Sequence, residues 1–204
     1  MSKLIIPLYS YPGSSWYSLI QTKQLYPSVD MVAVINPNSG PTASPISDYV
    51  NGVQVLHNAG IKAIGYVNTA DGGIPLSTVG NQLKAYYFEY PTLDGIFFDN
   101  ADSANTLYYS QCNYLAKSIL NCGLTFGNAG APMPELEGIF DELIEFENGY
   151  MPKEPVSSYI AYGIASLPAI PSARYLYVTD KTLPNPYNAL PSYLEALAGV
   201  LANA

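Results

Sequence analysis

The sequence predicts a compact (β/α)8 barrel of the TIM type, formed by a single domain over residues 1–204. Short apolar runs alternate with segments of helical periodicity, which is typical of a parallel sheet covered by helices. Eight such units can be counted along the chain, which is the number that a closed barrel needs. Polar residues follow most of the apolar runs, at the end of the strands where barrel active sites form.

An open doubly wound sheet is the structural alternative, because about 25 residues per unit is short for a barrel. The first apolar run is not followed by the glycine pattern G-x-G-x-x-G. That absence weakens the dinucleotide-binding version of the open sheet.

Each predicted strand is a run of apolar and β-branched residues bounded by turn residues. The strands are predicted at Leu4–Tyr9, Met31–Pro37, Lys62–Asn68, Gly95–Asn100, Leu124–Gly130, Glu142–Tyr150, Ser157–Ile164 and Ala173–Asp180. The seventh, Ser157–Ile164, has the most ambiguous pattern.

Helices are predicted where apolar residues recur at spacings of three and four. Their bounds are Ser14–Tyr26, Ile46–His57, Ser77–Glu89, Ala104–Asn121 and Ser192–Ala202, with a short helix near Glu135. The segment SLPAIPS after the seventh strand holds two prolines and cannot form a long helix. The seventh unit is therefore predicted to be shortened.

The composition excludes several classes of partner. Net charge is −8 with eight Lys and Arg in total, so nucleic-acid binding is not expected. No apolar run reaches the roughly 18 residues of a membrane span. The run Leu4–Tyr9 is too short for a secretory signal, so the chain is expected to stay inside the cell or to lack its leader. The chain has one histidine, His57, and no cluster of cysteines, so neither a metal site nor a cofactor is expected. Cys112 and Cys122 are too far apart on the predicted helix for a disulfide, so both are expected to be free thiols.

Two strand-end carboxylates are the candidate catalytic residues. Along GIFFDN, Asp99 shares a face with Phe97, and along LIEFEN, Glu147 shares a face with Glu145. If the purely apolar pairs face the helices, Asp99 and Glu147 both point into the barrel mouth, about 5 to 8 Å apart. That range covers both retaining and inverting glycosidases. The competing interpretation is that both are solvated loop acids.

Other polar and aromatic residues at the same end of the predicted strands are expected to bind a sugar, since flat rings with polar tips suit sugar faces. They are Tyr9, Tyr11, Asn36, Asn38, Tyr66, Asn68, Asn100, Asp102, Asn128, Glu145, Tyr150 and Asp180. Glu145 is predicted to lie one layer deeper and is the alternative acid.

Five strings resemble the spherulin 4 family, in order through most of the chain: IPLYSYPGSSW, INPNSGP, AGIKAIGYVNT, GIFFD, and YVTD with NPYNALPSYL. The resemblance implies a (β/α)-barrel glycoside hydrolase acting on α-1,4-linked galactosamine and N-acetylgalactosamine polymers. It also implies an extracellular or cell-surface location.

The string FFDNADS departs from the Asp-Glu usual in spherulin 4 relatives and is similar to the L-D-N-x-D motif of the related endo-α-1,4-polygalactosaminidases. By position, this second resemblance makes Asp99 the nucleophile and Glu147 the acid/base. It makes Asn100 and Asp102 ligand-positioning residues. The rival function is a barrel that binds a glycan without cleaving it, on a cell or virion surface. The sequence leaves the oligomeric state and the exact sugar open, including a neutral α-galactan.

Overall fold

Nine parallel strands form one closed sheet in the structure, a computed structural model that describes residues 2–101, 104–121 and 123–203. The strands are β1 (Lys3–Leu8), β2 (Met31–Ile35), β3 (Lys62–Asn68), β4 (Gly95–Asp99), β5 (Leu124–Asn128), β6 (Glu142–Ile144), β7 (Phe146–Asn148), β8 (Ser158–Ala161) and β9 (Tyr175–Val178). Their order is β6-β5-β4-β3-β2-β1-β9-β8-β7.

The two ends of that order belong to one segment of the chain, because only Glu145 separates β6 from β7. β6 pairs with β5 on one side and β7 pairs with β8 on the other, so the segment occupies a single position in a barrel of eight. The predicted TIM-type barrel is confirmed, and the open doubly wound alternative is wrong.

Helices cover the first half of this barrel. The helices are α1 (Ser14–Leu25), α2 (Ser47–Asn58), α3 (Leu76–Glu89), α4 (Thr106–Leu120) and α5 (Leu194–Ala202), and a 3₁₀ turn spans Pro134–Leu136. Each helix begins and ends within two residues of its predicted bounds. Among the described residues, no helix combines the length and the apolar character that crossing a membrane requires.

The second half of the barrel is built from strands and loops. No helix forms in residues 149–157 or 162–174, all of which the structure describes. Prolines recur there, at Pro152, Pro155, Pro168 and Pro171, and each removes a backbone donor that a helix would use. The predicted shortening of the seventh unit is confirmed, and β8 ends three residues earlier than predicted.

Aromatic rings fill both sides of the barrel wall. Inside, Phe126 packs against Tyr175 with ring centroids 4.9 Å apart and against Phe97 at 6.3 Å. Outside, Phe98 packs against Phe140 at 5.5 Å. Burying each of these side chains contributes about 1.5 to 3 kcal/mol to folding. The packing fixes which face of β4 points inward, and thereby where its last residue points.

Candidate active site

Asp99 is the last residue of β4, and its half-buried carboxylate faces the mouth of the barrel. Since Phe97 points inward, regular alternation along the strand also turns Asp99 inward, as predicted. Tyr66 in β3 donates its hydroxyl proton to Oδ2 of Asp99 at 2.8 Å. The neighbouring strand thus fixes the direction of the carboxylate.

Glu147 reaches the same mouth by a route that alternation does not predict. In the register of β5 and β6, Ile144 lies opposite Asn128, whose side chain points into the barrel, so Ile144 also faces inward. Residues three apart in a regular strand lie on opposite faces, yet Glu147 faces inward too. The break at Glu145, between β6 and β7, acts as a bulge and changes the alternation.

The predicted alternation through LIEFEN is therefore wrong, although its result for Glu147 agrees with the structure. The ladder is irregular at this point, because the backbone N–H groups of Ala129 and Gly130 both donate to the carbonyl of Ile144. Glu145 does not lie beneath Glu147 inside the barrel. Its carboxylate accepts a hydrogen bond from the backbone N–H of Ser157 at 2.7 Å instead.

The amide of Asn128 joins the two carboxylates. Its Nδ2 donates to Oδ1 of Asp99 at 2.8 Å and to Oε2 of Glu147 at 2.5 Å. The two oxygens are therefore no more than 5.3 Å apart, the sum of those two distances. This upper bound falls at the spacing typical of retaining glycosidases, about 5 to 5.5 Å.

Tyr187 is a site residue that the sequence analysis missed. It lies in the loop between β9 and α5, and its hydroxyl donates to Oε1 of Glu147. A tyrosine in a polar loop gives no periodic signal. The one available clue was its place in the string NPYNALPSYL, which carries part of the family resemblance.

Burial is the main influence on Glu147 and raises the pKa of its carboxyl above the ordinary value for glutamate. The hydrogen bonds from Tyr187 and Asn128 act in the opposite direction, and the nearby charge of Asp99 adds to the rise. The environment therefore favours the protonated form of Glu147 more than water does.

Three tyrosine rings enclose the carboxylates. Tyr9 makes edge-to-face contacts with Tyr66 and Tyr187, with ring centroids 5.5 and 5.7 Å apart. Burial, together with the negative charges of Asp99 and Glu147, raises the pKa of all three hydroxyls well above the ordinary value for tyrosine. The three hydroxyls therefore stay protonated near neutral pH. In the structure, Tyr66 donates to Asp99 and Tyr187 donates to Glu147.

A cleft of about 350 Å³ opens above the carboxylate pair. Its lining residues are Asp99, Asn100, Asn128, Ala129, Gly130, Glu147, Tyr162, Leu183, Pro184, Pro186 and Tyr187. Asn100 has a positive φ of 52°, a conformation that asparagine tolerates, and its amide donates to Oδ1 of Asn68 at 3.1 Å. The cleft is large enough for a small ligand.

A comparison with protein families matches residues 3–160 to the family described as Spherulation-specific family 4. The chain belongs to this family. Spherulin-4 of Physarum polycephalum is 39% identical over 132 residues, a match that covers 59% of this chain and 39% of the relative. This chain thus spans about two fifths of the length of that relative.

Two solved structures share its fold. Sph3 of Aspergillus clavatus, solved in complex with GalNAc, superposes with a TM-score of 0.82 at 20% sequence identity and covers 98% of this chain and 97% of its own. An Anoxybacillus α-amylase gives a TM-score of 0.51 at 12% identity, covering 71% of this chain and 52% of its own. At these identities the two structures support the barrel fold of this spherulin 4 protein and nothing finer.

Several predicted binding residues of the spherulin 4 chain lie outside the cleft. Tyr11 is exposed and donates to Asp48 at the start of α2, at 2.7 Å. Asn36 accepts from the backbone N–H of Gly40, which shapes its loop, and Asn38 is exposed in the same loop.

The remaining outlying residues are on the second half of the barrel. Tyr150 is exposed and packs on Phe146 at 5.4 Å. Asp180 accepts from the backbone N–H of Ser192 and pairs with Lys181 at 3.1 Å. These bonds lower its pKa, although burial acts in the opposite direction. Asp102 lies outside the described residues.

Metal-ligating side chains do not gather in the described parts of the chain, where no group of three His, Cys, Asp or Glu is placed to hold an ion. His57 contacts Asp94 at 2.9 Å, on the helical side of the barrel. Cys112 is a buried free thiol whose pKa burial raises to about 11. Cys122 lies outside the described residues.

Proposed function

We propose that this spherulin 4 chain is a retaining endo-glycosidase acting on an amino-sugar polysaccharide of the α-1,4-linked galactosamine and N-acetylgalactosamine type. The observation that supports it most is the carboxylate pair, Asp99 and Glu147, held over one cleft by the shared amide of Asn128. Cleaving an acetal takes one group that protonates the leaving oxygen and one that attacks the anomeric carbon.

Asp99 is the nucleophile in this proposal. Its carboxylate oxygen forms a bond to the anomeric carbon while the bond from that carbon to the leaving oxygen breaks. Glu147 gives its proton to the leaving oxygen in the same step, so that the released chain end is a neutral hydroxyl. In the second step Glu147 takes a proton from water, the water oxygen bonds to the anomeric carbon, and Asp99 is released.

The two roles follow from the different surroundings of the acids. The raised pKa of Glu147 suits a group that must hold a proton before the reaction begins. Tyr66 and Asn128 donate hydrogen bonds to the two oxygens of Asp99 and orient this carboxylate toward the cleft. A separation of no more than 5.3 Å between the nearest oxygens supports direct attack over an intervening water.

The substrate class is supported by charge and by one relative. The described residues that line the cleft include two acids and neither Lys nor Arg, and the net charge of the chain is −8. Such a site attracts cationic sugars such as galactosamine. The fold relative Sph3 was solved in complex with GalNAc.

We propose that Asn100 and Asn128, which line the cleft, contact the sugar. Tyr9, Tyr66 and Asn68, which lie next to the lining residues, orient the groups that hold it. The outlying predicted residues, such as Tyr11 and Tyr150, would meet only a polymer that extends well beyond the cleft.

The test is fragment release from α-1,4-linked galactosamine and N-acetylgalactosamine polymers, followed by mass spectrometry. Asp99→Asn and Glu147→Gln are each expected to reduce the rate at least 10³-fold, because a positioned acid or nucleophile contributes that much. Glu145→Gln is the matched control, two residues from Glu147 but bonded to Ser157 outside the cleft, and is expected to keep the wild-type rate.

The product stereochemistry and the binding affinity separate the alternatives. A retaining enzyme releases a product with the anomeric configuration of the substrate, and NMR detects this configuration before the product mutarotates. If the wild type binds the polymer by calorimetry and releases no shorter fragments, the chain is a glycan-binding barrel and the hydrolase proposal is wrong. If Glu145→Gln removes activity and Glu147→Gln does not, the assignment of the acid is wrong.

A further inference from the structure

Both carboxylate oxygens of Glu147 accept hydrogen bonds in the structure. Oε1 accepts from the hydroxyl of Tyr187, and Oε2 accepts from the amide of Asn128. This pattern fits the ionised carboxylate. The protonated acid needs one of its oxygens to donate, so one of the two partners must change its role.

The two partners differ in what they can do. The Nδ2 group of Asn128 only donates, and its second N–H is bonded to Asp99. Turning that amide over would break both bonds and bring its carbonyl oxygen against two carboxylates. The hydroxyl of Tyr187 can donate or accept, and it changes between the two by rotation about one bond.

We propose, on the basis of the function proposed above, that Tyr187 is the positioning residue that sets the protonation of Glu147. In the acid form the proton sits on Oε1 and is donated to the oxygen of Tyr187, whose own hydrogen turns away. When Glu147 gives that proton to the leaving oxygen, Tyr187 turns back and donates to the new carboxylate. No covalent bond of Tyr187 changes, and the proton count balances.

The other titratable groups near Glu147 make different contacts. Asp99, on β4, presents a carboxylate, and the hydroxyl of Tyr66, on β3, is already bonded to Asp99. Tyr9, which directly follows β1, contacts Tyr66 and Tyr187 through its ring. The cation that follows β9, Lys181, is paired with Asp180.

Packing holds the ring of Tyr187 in place. The residue lies in the loop after β9. Its ring is held by Tyr9 on one side and by Tyr177 on the other, with centroids 5.7 and 6.3 Å away. The ring is therefore fixed while its hydroxyl hydrogen remains free to rotate.

The inference is tested by measuring the titration of the Glu147 carboxyl directly, with ¹³C-labelled glutamate and NMR, in the wild type and in Tyr187→Phe. Hydrogen bonds to a charged group are stronger than those to a neutral one, so losing the hydroxyl destabilises the ionised form. The titration midpoint of Glu147 is expected to rise by roughly half to one pH unit in Tyr187→Phe. Glu147→Gln assigns the signal.

Tyr177→Phe is the matched control. It removes a hydroxyl from the ring next to Tyr187, and that hydroxyl makes no hydrogen bond to either carboxylate among the described residues. Its titration midpoint for Glu147 is expected to equal that of the wild type. An unchanged or lowered midpoint in Tyr187→Phe, or an equal rise in Tyr177→Phe, overturns the inference.

Activity provides a second, separable measurement. If the wild type cleaves polymer, the high-pH limb of kcat/KM in Tyr187→Phe is expected to move upward by the same amount as the NMR midpoint. If the NMR midpoint of Glu147 rises in Tyr187→Phe and the high-pH limb of kcat/KM does not move, the protonation of Glu147 does not control the rate, and the link to catalysis is wrong. If the wild type cleaves nothing, the proposed function fails, and the NMR titration still decides whether Tyr187 sets the protonation of Glu147.

Discussion

The two halves of the barrel are built in different ways. From β1 to α4, strands of five to seven residues alternate with helices of 12 to 15 residues. From β6 to β9, the strands have three or four residues and no helix lies between them in the described chain. The first half is a regular scaffold, and the second half is mostly loop supported by that scaffold.

The candidate site takes one acid from each half. Asp99 stands on the regular half, where a long strand and its neighbours fix its direction. Glu147 stands on the irregular half, where a break in the strand turns it inward and a loop residue, Tyr187, holds it. Asn128 ends β5, at the boundary between the halves, and bonds to both acids. The distance between the carboxylates of Asp99 and Glu147 thus depends on the contacts that join the two halves of the barrel.

Among the substitutions that test this comparison of the two halves, the largest effect is expected from removing the amide of Asn128, which bonds to an acid from each half. Asn128→Ala leaves Asp99 and Glu147 facing each other without the shared donor, so their spacing and orientation loosen. Activity is expected to fall 10²- to 10³-fold, similar to the loss of one preorganised donor in other active sites. Fragment release under saturating polymer measures the effect.

Asn113→Ala is the control for that variant. Asn113 is on α4, and its amide group lies 2.8 Å from the hydroxyl oxygen of Thr125, away from the cleft. The Asn113→Ala variant loses the same kind of side-chain amide as Asn128→Ala and is expected to keep the wild-type activity. An Asn128→Ala variant within threefold of the wild type would show that the two halves position their acids independently.

A smaller effect is expected from a substitution within the regular half. A Cβ at Gly95, the first residue of β4, would lie 1.8 Å from the backbone oxygen of Leu124 in β5. Because a strand carbonyl cannot swing away like a flexible side chain, Gly95→Ala must separate β4 from β5. It is expected to lower the free energy of unfolding by about 3 kcal/mol.

Gly80→Ala provides the contrast for Gly95→Ala in the same half. Gly80 lies in α3, and a Cβ there would meet nothing within 4 Å. Alanine in a helix is favoured over glycine, so this variant is expected to gain about 0.5 to 1 kcal/mol. Urea denaturation of both variants measures the difference. Equal stabilities would mean that β4 and β5 are not tightly joined.

The regular half was also the more predictable one. The strands of that half are apolar on both faces and bounded by turn residues, so their pattern located them within two residues. The inward orientation of the Asp99 side chain was predicted from the alternation of residues along β4, because this strand is regular.

The irregular half defeated the same reasoning. A bulge inserts one residue without any compositional mark, so the alternation through Ile144 and Glu147 failed at Glu145. Tyr187 could not be found from periodicity, because a loop side chain is placed by tertiary contacts. The outlying residues Asn36 and Asp180 were predicted for the cleft because they follow strands, but their side chains bond to nearby backbone N–H groups instead.

The smallest effect is expected at Asp141, which ties the outer ends of the two halves together. Just before β6, its carboxylate accepts from the ammonium of Lys117 on α4, and from the backbone N–H and hydroxyl of Thr125 in β5 at 2.7 and 2.9 Å. Burial alone would raise its pKa, but Lys117 and Thr125 lower it below the ordinary value for aspartate.

The sign of the pH dependence follows from that lowered pKa. A carboxyl with a lower pKa in the folded than in the unfolded protein stabilises the fold above its unfolded pKa, about 3.9, and loses that contribution as pH falls through the folded pKa. Asp141→Asn is therefore expected to cost about 1 kcal/mol at pH 7, because the carboxylate is partly exposed, with the difference from wild type shrinking below about pH 4. Asp30→Asn, which removes an exposed ion pair at 3.6 Å, is expected to have little effect. If urea denaturation shows the same loss for Asp141→Asn at pH 7 and at pH 2, the charge of Asp141 does not hold the boundary, and neutral packing joins the halves there.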